Sequence, residues 1–262
     1  MELSTPGATA TILPEDGRLA SLIVDGMELL VTEGEKPTRW GSFPMAPWAG
    51  RLAFGHLYFG ERAHEFALTS PPHANHGTAM HQEWTVTEST DASATLTASL
   101  GDAWPFGGSV EQRFSLTSSH FEVGMTIKAE DTPFPAQLGW HPWYRRQLDR
   151  GEPLTVEFAA DSMYSVTEAQ IVTGELVTPP EGPWDDTFTN VTQQPILRWP
   201  GALTLELTSD MDHWVVFTRP EHAVAIEPQS GAPNDLNRDP HVIEPGGSLS
   251  GWMRLSWSSP EA

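Results

Sequence analysis

Residues 92–100 read ASATLTASL and alternate small or apolar side chains with hydroxyl-bearing ones. A period of two sends successive side chains to opposite faces of an extended chain, so this stretch predicts a β-strand with one buried face. Segments of similar alternation flank it at residues 83–88, 110–116 and 120–129, with turn residues such as Asp91 between them. Together these segments predict an antiparallel meander.

Short strand patterns recur along the rest of the chain, and a sustained helical period of 3.6 residues is nearly absent. The further predicted strands are residues 8–13, 19–24, 27–31, 154–158, 196–199, 203–208, 213–217, 223–227 and 249–257. The 11 Trp, 11 Phe and 23 Pro also suit a β-rich protein with many turns. Turn-rich stretches such as residues 179–183 and 231–235 are typical of loops rather than linkers. We therefore expect an all-β fold in a single domain over residues 1–262.

The composition limits the possible partners. A net charge of -21 repels phosphate backbones and anionic lipids, so nucleic acid and membranes are poor partners. The absence of cysteine excludes disulfides, thiolate metal sites and a cysteine nucleophile. The first residues lack the pattern of a secretion signal, and no apolar run approaches the length of a membrane span. We expect a soluble, cytoplasmic protein, and nothing in the sequence indicates its oligomeric state.

His141 stands in a run of aromatic residues, GWHPWY at residues 139–144. A residue before proline is held in an extended conformation, and proline removes the next ladder hydrogen bond. We therefore expect Pro142 to end a strand and the imidazole to lie at the rim of a sheet. For a histidine taken alone, a structural place in an aromatic cluster is the commoner interpretation.

Glu227 repeats this local design. The apolar residues 223–226 (AVAI) predict a strand that leads directly to the Glu227 carboxylate. The strand is expected to stop at Pro228. Burial of a carboxylate is unfavourable unless the group has a partner or a function. A carboxylate at the end of a strand can also be exposed to water and form a surface ion pair, so this structural interpretation stays open. A histidine with an ordinary pKa of about 6.5 and a glutamate with one of about 4.3 supply an acid and a base near neutrality. Such a pair suits the opening of a cyclic aldose, which removes one proton and adds another.

These two segments, together with residues 47–51 (PWAGR) and 75–77 (NHG), resemble the motifs of the aldose 1-epimerase (galactose mutarotase) family. The resemblance implies a galactose-mutarotase-like fold, a large antiparallel β-sandwich with a sugar site on one sheet. It implies an isomerase that interconverts the α and β anomers of a free aldose, with Glu227 as general base and His141 as general acid. It implies no metal, nucleotide or other cofactor. The two residues are expected to meet across a common cavity and act on opposite sides of the hemiacetal.

The resemblance also assigns substrate-binding residues. His76 is expected to contact the sugar near its ring oxygen, and Arg51 to bind neighbouring hydroxyls. Asp185 is expected to accept hydrogen bonds from hydroxyls, with Asp186 as its rival. Gln229 is expected to orient the base or to touch the substrate. This set makes a small-molecule sugar the expected partner.

Tryptophan side chains are expected to supply an apolar surface for the C–H face of the sugar. Trp143, Trp140 and Trp48 flank the polar candidates, and we expect one of them, with Trp143 as the named candidate, to touch the ligand. Many family members have Asn immediately before the arginine of the PWAGR segment. Gly50 stands there in this chain, which removes one possible polar contact.

Structural interpretations stay open for several of these residues. Arg51 is also suited to an ion pair, and Asp185 to an Asx-type turn. His73, His76 and His81 lie close together in the sequence, but their spacing matches no standard zinc pattern, so no metal is expected.

Two alternative functions also stay open. A hexose-6-phosphate 1-epimerase would share the scaffold and the chemistry but need extra cationic contacts, for which Arg39, Arg145 and Arg146 are candidates. A noncatalytic carbohydrate-binding protein would keep the tryptophans and Arg51 without needing the acid and the base together. Which sugar is bound depends on loop geometry that the sequence does not show.

Overall fold

The computed structural model describes residues 1–259 and consists mainly of β-strands. The strands are β1 (Glu2–Thr5), β2 (Ala8–Leu13), β3 (Arg18–Val24), β4 (Met27–Glu28), β5 (Ser42–Met45), β6 (Arg51–Leu52), β7 (His56–Phe59), β8 (Arg62–Glu65), β9 (Ala74–Asn75), β10 (Thr85–Ser89), β11 (Ser93–Ser99), β12 (Ser109–Leu116), β13 (His120–Lys128), β14 (Phe134–Pro135), β15 (Gly139–Arg145), β16 (Thr155–Val166), β17 (Val172–Val177), β18 (Asp185–Trp199), β19 (Leu203–Ser209), β20 (His213–Phe217), β21 (Ala223–Gln229), β22 (Val242–Ile243) and β23 (Ser248–Ser258). The connections contain the 3-10 turns Pro37–Arg39, Ala53–Gly55 and Ala79–His81 and one short helix, α1 (Asp235–Arg238). In this part of the chain no helix is long and apolar enough to cross a bilayer.

The strands form two antiparallel sheets that share two long strands. The first sheet has the order β10-β11-β12-β13-β23-β19, and the second the order β20-β21-β15-β5-β3-β2-β1. β18 joins them, because its residues 185–188 pair with β20 and its residues 196–199 with β19. β16 runs beside β18 and shifts register at residues 157–160. One apolar cluster includes Leu96 of the first sheet and Leu22 of the second, so the two sheets enclose a common core and the expected all-β antiparallel fold is confirmed.

The central strands of the second sheet are covered on both faces. β11 and β13 alternate buried and accessible residues, whereas β15 is buried at all positions but the last and β21 at every position. One face, with Trp140 and Ile226, packs into the main core. The opposite face, with Trp143 and Ala225, forms a smaller apolar cluster with Phe43. Side chains on this second face are therefore held away from the main core, where a ligand can reach them.

The expectation that Pro142 and Pro228 end their strands is wrong. Both strands continue past their prolines. The ladder between β15 and β21 has pairs at residues 139 and 143 of β15 but none between them. The prolines lie in this gap, where the ladder requires no N–H donor. His141 therefore lies inside the sheet rather than at its rim.

Most of the other predicted strands are confirmed within a few residues, but the long ones were underestimated. Residues 154–158 and 196–199 are ends of β16 and β18, whose remaining parts carry many polar residues and show no apolar alternation. β4 ends at Glu28, because its carboxylate accepts the backbone N–H groups of Leu22 and Leu30. β17 is largely exposed and has no predicted counterpart. The single domain stays a prediction.

Candidate active site

A cavity of about 580 Å³ opens on the face of the second sheet that carries the smaller apolar cluster. Its floor consists of alternate residues from four neighbouring strands: His141 and Trp143 of β15, Glu227 and Gln229 of β21, Val215 and Phe217 of β20, and Asp185 and Thr187 of β18. Loop residues within 36–39, 50–51 and 69–81 form most of the remaining wall. The volume lies within the range of small-molecule sites. All seven residues predicted for the site line this one cavity.

His141 and Glu227 form a buried pair in the floor. The ladder register on either side places them opposite each other on neighbouring strands. His141 Nε2 lies 3.1 Å from Glu227 Oε1, and the two side chains are only 8% and 4% exposed. Phe43 and Trp143 stack on the imidazole with ring centroids at 4.8 and 5.0 Å, and Gln229 Nε2 donates to the carboxylate at 3.2 Å. The two groups lie side by side rather than facing each other across the cavity.

Burial sets the proton affinity of both groups. It raises the pKa of Glu227 well above 4.5, and the negative charge of Asp185 adds to the rise. It lowers the pKa of His141 well below 6.5, with further lowering by His76 and Arg39. One proton shared between carboxylate and imidazole leaves the pair without net charge, whereas zero or two protons leave a buried charge. The state with one proton is therefore favoured over a wide pH range.

His76 is a neutral side chain with a defined tautomer. Its Nδ1 lies 2.9 Å from the sulfur of Met45, and because a thioether only accepts, Nδ1 carries the proton and Nε2 is an acceptor. Burial, followed by the charge of Arg51, lowers the pKa of His76 to about 3. The next residue, Gly77, has a φ of 75°, and a Cβ there would lie 2.0 Å from the carbonyl oxygen of Ala46. The glycine thus lets the His76 loop approach β5 closely.

The structure separates the two aspartates at the start of β18. Asp186 accepts the backbone N–H of Asp185 at 3.0 Å and lies 3.8 Å from Arg219. Both aspartates line the cavity, but the Asp185 carboxylate makes no such ion pair within residues 1–259. Asp185 is the first residue of a strand, so the Asx-turn interpretation is wrong.

Arg51 lines the cavity, and its charge acts on Glu227 and His76. Its guanidinium makes no ion pair or hydrogen bond with any residue in the described range, so the structural ion-pair interpretation is also wrong. The neighbouring Gly50 has a φ of 65°, and a Cβ on it would lie 2.7 Å from Pro233 Cγ. Pro233 therefore occupies the space into which a larger residue at position 50 would extend.

Of the three candidate tryptophans, only Trp143 reaches the cavity. Trp140 and Trp48 belong to the main core, and the indole N–H of Trp140 donates to Gln112. Trp143 is itself only 1% exposed, so it offers the cavity an edge rather than an open ring face.

Arg145 and Arg146 lie outside the cavity, so their expected role beside a substrate phosphate is wrong. They line a separate pocket of about 420 Å³. Arg145 donates to the carbonyl of Leu30, and Arg146 to that of Pro220. Only Arg39 of the three candidate phosphate contacts lines the cavity.

The side chains of His73, His76 and His81 make different contacts. His73 accepts the N–H of Phe54 through Nδ1 and donates to the carbonyl of Ala169 through Nε2, so both ring nitrogens are occupied. His76 binds Met45, and His81 lines the cavity. Nowhere in residues 1–259 do three histidine or acidic side chains form a group that could hold a metal ion.

The sequence motifs missed several cavity residues. Thr187 lies two positions beyond Asp185, and Val215 and Phe217 lie in a predicted strand, so the two-residue period was a usable signal. Lys36 carried only a compositional signal, as one of two lysines in the chain. Its position at the cavity depends on contacts between residues that are far apart in the sequence, which no local pattern shows.

Solved structures with the same fold are galactose mutarotase-like proteins. A putative aldose 1-epimerase from Escherichia coli K12 has a TM-score of 0.85 over 98% of both chains at 18% identity. A GalM/aldose epimerase homologue from Caenorhabditis elegans has a TM-score of 0.84 over 100% of this chain and 99% of its own, at 17% identity. At these identities the likeness shows the fold alone.

This chain belongs to the aldose 1-epimerase family, whose model matches residues 1–256. A curated relative is the uncharacterized protein YihR of Escherichia coli K12, 27% identical over 171 residues, or 61% of this chain. The match spans about half of that protein, 54% of its length. The family is one of carbohydrate epimerases.

Proposed function

We propose that this protein is an aldose 1-epimerase in which Glu227 is the general base and His141 the general acid. One observation carries the proposal: the 3.1 Å contact between His141 Nε2 and Glu227 Oε1 in the floor of the cavity. The anomeric hydroxyl and the ring oxygen of an aldose are bonded to the same carbon. A base for the first and an acid for the second must therefore be neighbours, as these two groups are.

The reaction needs a single proton on the pair, and needs it on His141 Nε2 with Glu227 ionised. Burial favours that proton on Glu227, and the 3.1 Å contact between Glu227 Oε1 and His141 Nε2 is the path by which it reaches the imidazole when the substrate binds. Glu227 takes the proton of the anomeric hydroxyl while His141 gives its proton to the ring oxygen, and the bond between that oxygen and C1 breaks. The resulting aldehyde rotates about the C1–C2 bond. The former ring oxygen then attacks the other face of the carbonyl and returns its proton to His141, while Glu227 returns its proton to the carbonyl oxygen. The pair ends each turnover in the state in which it began.

The surrounding residues suit a polyhydroxylated substrate. Within residues 1–259 the Arg51 guanidinium and the Asp185 carboxylate make no ion pair or side-chain hydrogen bond, so both can bind hydroxyl groups without first breaking such a contact. The Nε2 atom of His76 is an acceptor, so we expect it to receive a hydrogen bond from a sugar hydroxyl rather than donate one to the ring oxygen. Gln229 holds the carboxylate of the base.

Polarimetry with purified protein tests the proposal. Freshly dissolved α-anomers of common aldoses and of their 6-phosphates should reach anomeric equilibrium much faster with the protein than without it. If no sugar is accelerated, catalysis is refuted, and sugar binding without turnover would support a noncatalytic carbohydrate-binding protein instead.

The pH dependence of kcat/KM should show two limbs around a broad plateau. A raised Glu227 pKa means that the pair keeps its single proton well above pH 4.5, and a lowered His141 pKa means that it takes up a second proton only below pH 6.5. Activity should fall on the acid side when the second proton binds and on the alkaline side when the single proton is lost. The measurement uses a neutral sugar, with the uncatalysed rate subtracted at each pH. A single rise with pH centred near 6.5 would contradict this assignment.

The two aspartates should differ in their effect on substrate binding. We expect Asp185→Asn to raise KM by about tenfold, because a charged acceptor for sugar hydroxyls is lost. Asp186→Asn, the matched control, should change KM much less, because its partner Arg219 is half exposed. Asp185→Asn should also move the alkaline limb of kcat/KM to lower pH, since the Asp185 charge raises the pKa of Glu227. Equal effects of the two substitutions would refute the choice of Asp185.

A further inference from the structure

The outer face of the first sheet carries a hollow of about 230 Å³ that lies apart from the candidate active site. The strand register places Arg113 of β12, Gly124 of β13 and Trp252 of β23 side by side in one row across its floor. The next row on the same face consists of Glu111, Thr126 and Ser250. The alternate residues of these strands are buried in the core, so the hollow and the cavity lie on opposite sides of the sandwich.

Gly124 leaves this hollow open, although the fold does not require a glycine there. Its φ lies outside the left-handed region, and a Cβ on it would meet only the carbonyl oxygen of Gly251, at an ordinary distance of 3.8 Å. Gly251 differs, because a Cβ there would lie 2.9 Å from Leu138 Cδ1. A glycine in the middle of a strand lowers stability, since its backbone loses more freedom on folding and it packs no side chain. What Gly124 provides is therefore the open space itself.

Trp252 forms a wall of the hollow without covering it. A tryptophan beside a glycine of the neighbouring strand often lies over it, but no Trp252 atom comes within 4 Å of the Cβ position of Gly124. The Arg254 guanidinium lies 5.8 Å from the centre of the ring and pairs with Glu122 at 2.6 Å, which holds the ring in place. The indole is partly exposed, and its N–H donates to no group within residues 1–259. It thus offers a ligand both an apolar face and a free donor.

Polar groups of both kinds surround the ring. Asp210 accepts the backbone N–H of Trp252 at 2.8 Å, and Arg113 pairs with Glu111 at 2.9 Å. The two hydroxyl groups of the second row bond to each other, also at 2.9 Å. Two carboxylates beside one guanidinium make an anion a poor ligand here. A neutral molecule with many hydroxyl groups suits this mixture of donors and acceptors.

We propose that the hollow is a second carbohydrate-binding site, which holds one sugar ring with its C–H face on Trp252 and its hydroxyls among the surrounding polar groups. The volume is below the roughly 300–1,000 Å³ of sites for drug-sized molecules, so it suits a single ring. The ring comes either from a free monosaccharide or from the end of a longer sugar chain. This inference does not rest on the proposed function, because none of these residues lines the catalytic cavity.

Fluorine NMR of protein labelled with 5-fluorotryptophan tests binding at Trp252 directly. The Trp252→Phe variant identifies the Trp252 signal by its loss. The sugars are methyl β-glucoside and methyl β-galactoside, whose rings cannot open by the epimerase reaction, and cellotriose and maltotriose. We expect a saturable shift of the Trp252 signal with at least one of the four. Binding in the catalytic cavity would shift the Trp143 signal instead, so the two sites are measured separately.

The same titrations distinguish the two sources of the sugar. A trisaccharide that binds several-fold more tightly than the methyl glycosides would identify the end of a sugar chain as the ligand. Comparable or tighter binding of a methyl glycoside would show that a single ring is sufficient, as a free monosaccharide requires. The absence of a saturable Trp252 shift with all four sugars would overturn the site.

Filling the hollow should abolish binding without harming the fold. Gly124→Val places a side chain in the open space, and it should raise Tm, because valine is favoured over glycine in a strand. Ser115→Val is the matched control, since it adds the same side chain on the same face of β12 but outside the hollow. The Trp252 shift should be lost in Gly124→Val and retained in Ser115→Val. A shift that persists in Gly124→Val would overturn the site.

The proposed function fails or succeeds separately from this site. Anomer interconversion should be the same in Gly124→Val, in Ser115→Val and in the unaltered protein, because both positions lie on the far side of the core from the cavity. A protein that turns over no sugar but shows the Trp252 shift would keep the second site and lose the epimerase assignment. The reverse result would keep the epimerase and reject the second site.

Discussion

Replacing Glu227 by glutamine should lower kcat by about a hundredfold or more, the scale that is typical of losing a general base. Glutamine has nearly the same shape as glutamate but cannot take up the proton of the anomeric hydroxyl. The protein should remain as stable as before, because a neutral amide avoids the unfavourable burial of a negative charge. The raised pKa of the buried carboxylate reflects the same unfavourable burial. Polarimetry with the uncatalysed rate subtracted gives kcat, and thermal unfolding gives the stability.

Glu206→Gln is a suitable control for this experiment. Glu206 is exposed on β19, in the part of the fold that faces away from the cavity, so its loss should leave turnover unchanged. Near-normal turnover in the Glu227→Gln variant would show that another group accepts the proton, and the assignment of the base would then be abandoned.

Replacing His141 by asparagine should also lower kcat by about a hundredfold or more, because an amide cannot deliver a proton to the ring oxygen. The acid limb of the pH profile should disappear from any residual activity, since that limb reports the second proton on His141. A merely structural histidine would not produce this change in the profile. The comparison therefore needs kcat/KM measured across the whole pH range.

Loss of packing must be separated from loss of the acid, because the imidazole stacks on both Phe43 and Trp143. His141→Phe retains an aromatic ring at this position and is expected to be equally inactive. His222→Asn is the matched control: His222 also stacks on Trp143, with centroids 6.4 Å apart, but lies outside the cavity. An active His141→Phe variant, or a similar loss in His222→Asn, would exclude His141 as the acid.

Local alternation was sufficient to predict an antiparallel fold, and the resemblance to the family supplied the seven residues that line the cavity. The alternation at residues 92–100 and 110–116 reflects one core face and one exposed face, which is the simplest relation between pattern and burial. His141 and Glu227 were predicted as acid and base from short motifs, and both line the floor of the cavity. Their chemical roles stay proposals.

Other features depend on contacts that local patterns do not contain. A proline is a sound signal for the end of a strand only where the neighbouring strand requires an N–H donor, and the ladder between β15 and β21 has a gap at that point. β16 and β18 are long because each pairs with the other along most of its length, whatever the local composition. Lys36 and Arg39 come to the cavity because Trp143 holds their turn, a contact across more than a hundred residues of sequence.

β18 connects the two sheets of the protein mechanically, because it pairs with a strand of each. This single strand of 15 residues begins at the cavity with Asp185 and ends at Trp199, paired with the other sheet. If β18 separates from either sheet, a ladder with β19 or β20 is broken, so we expect the floor of the cavity not to open as a separate cooperative unit while the rest of the protein stays folded. We therefore expect any movement that accompanies ligand entry and release to lie in the loops at residues 36–39 and 69–81, whose residues line the cavity.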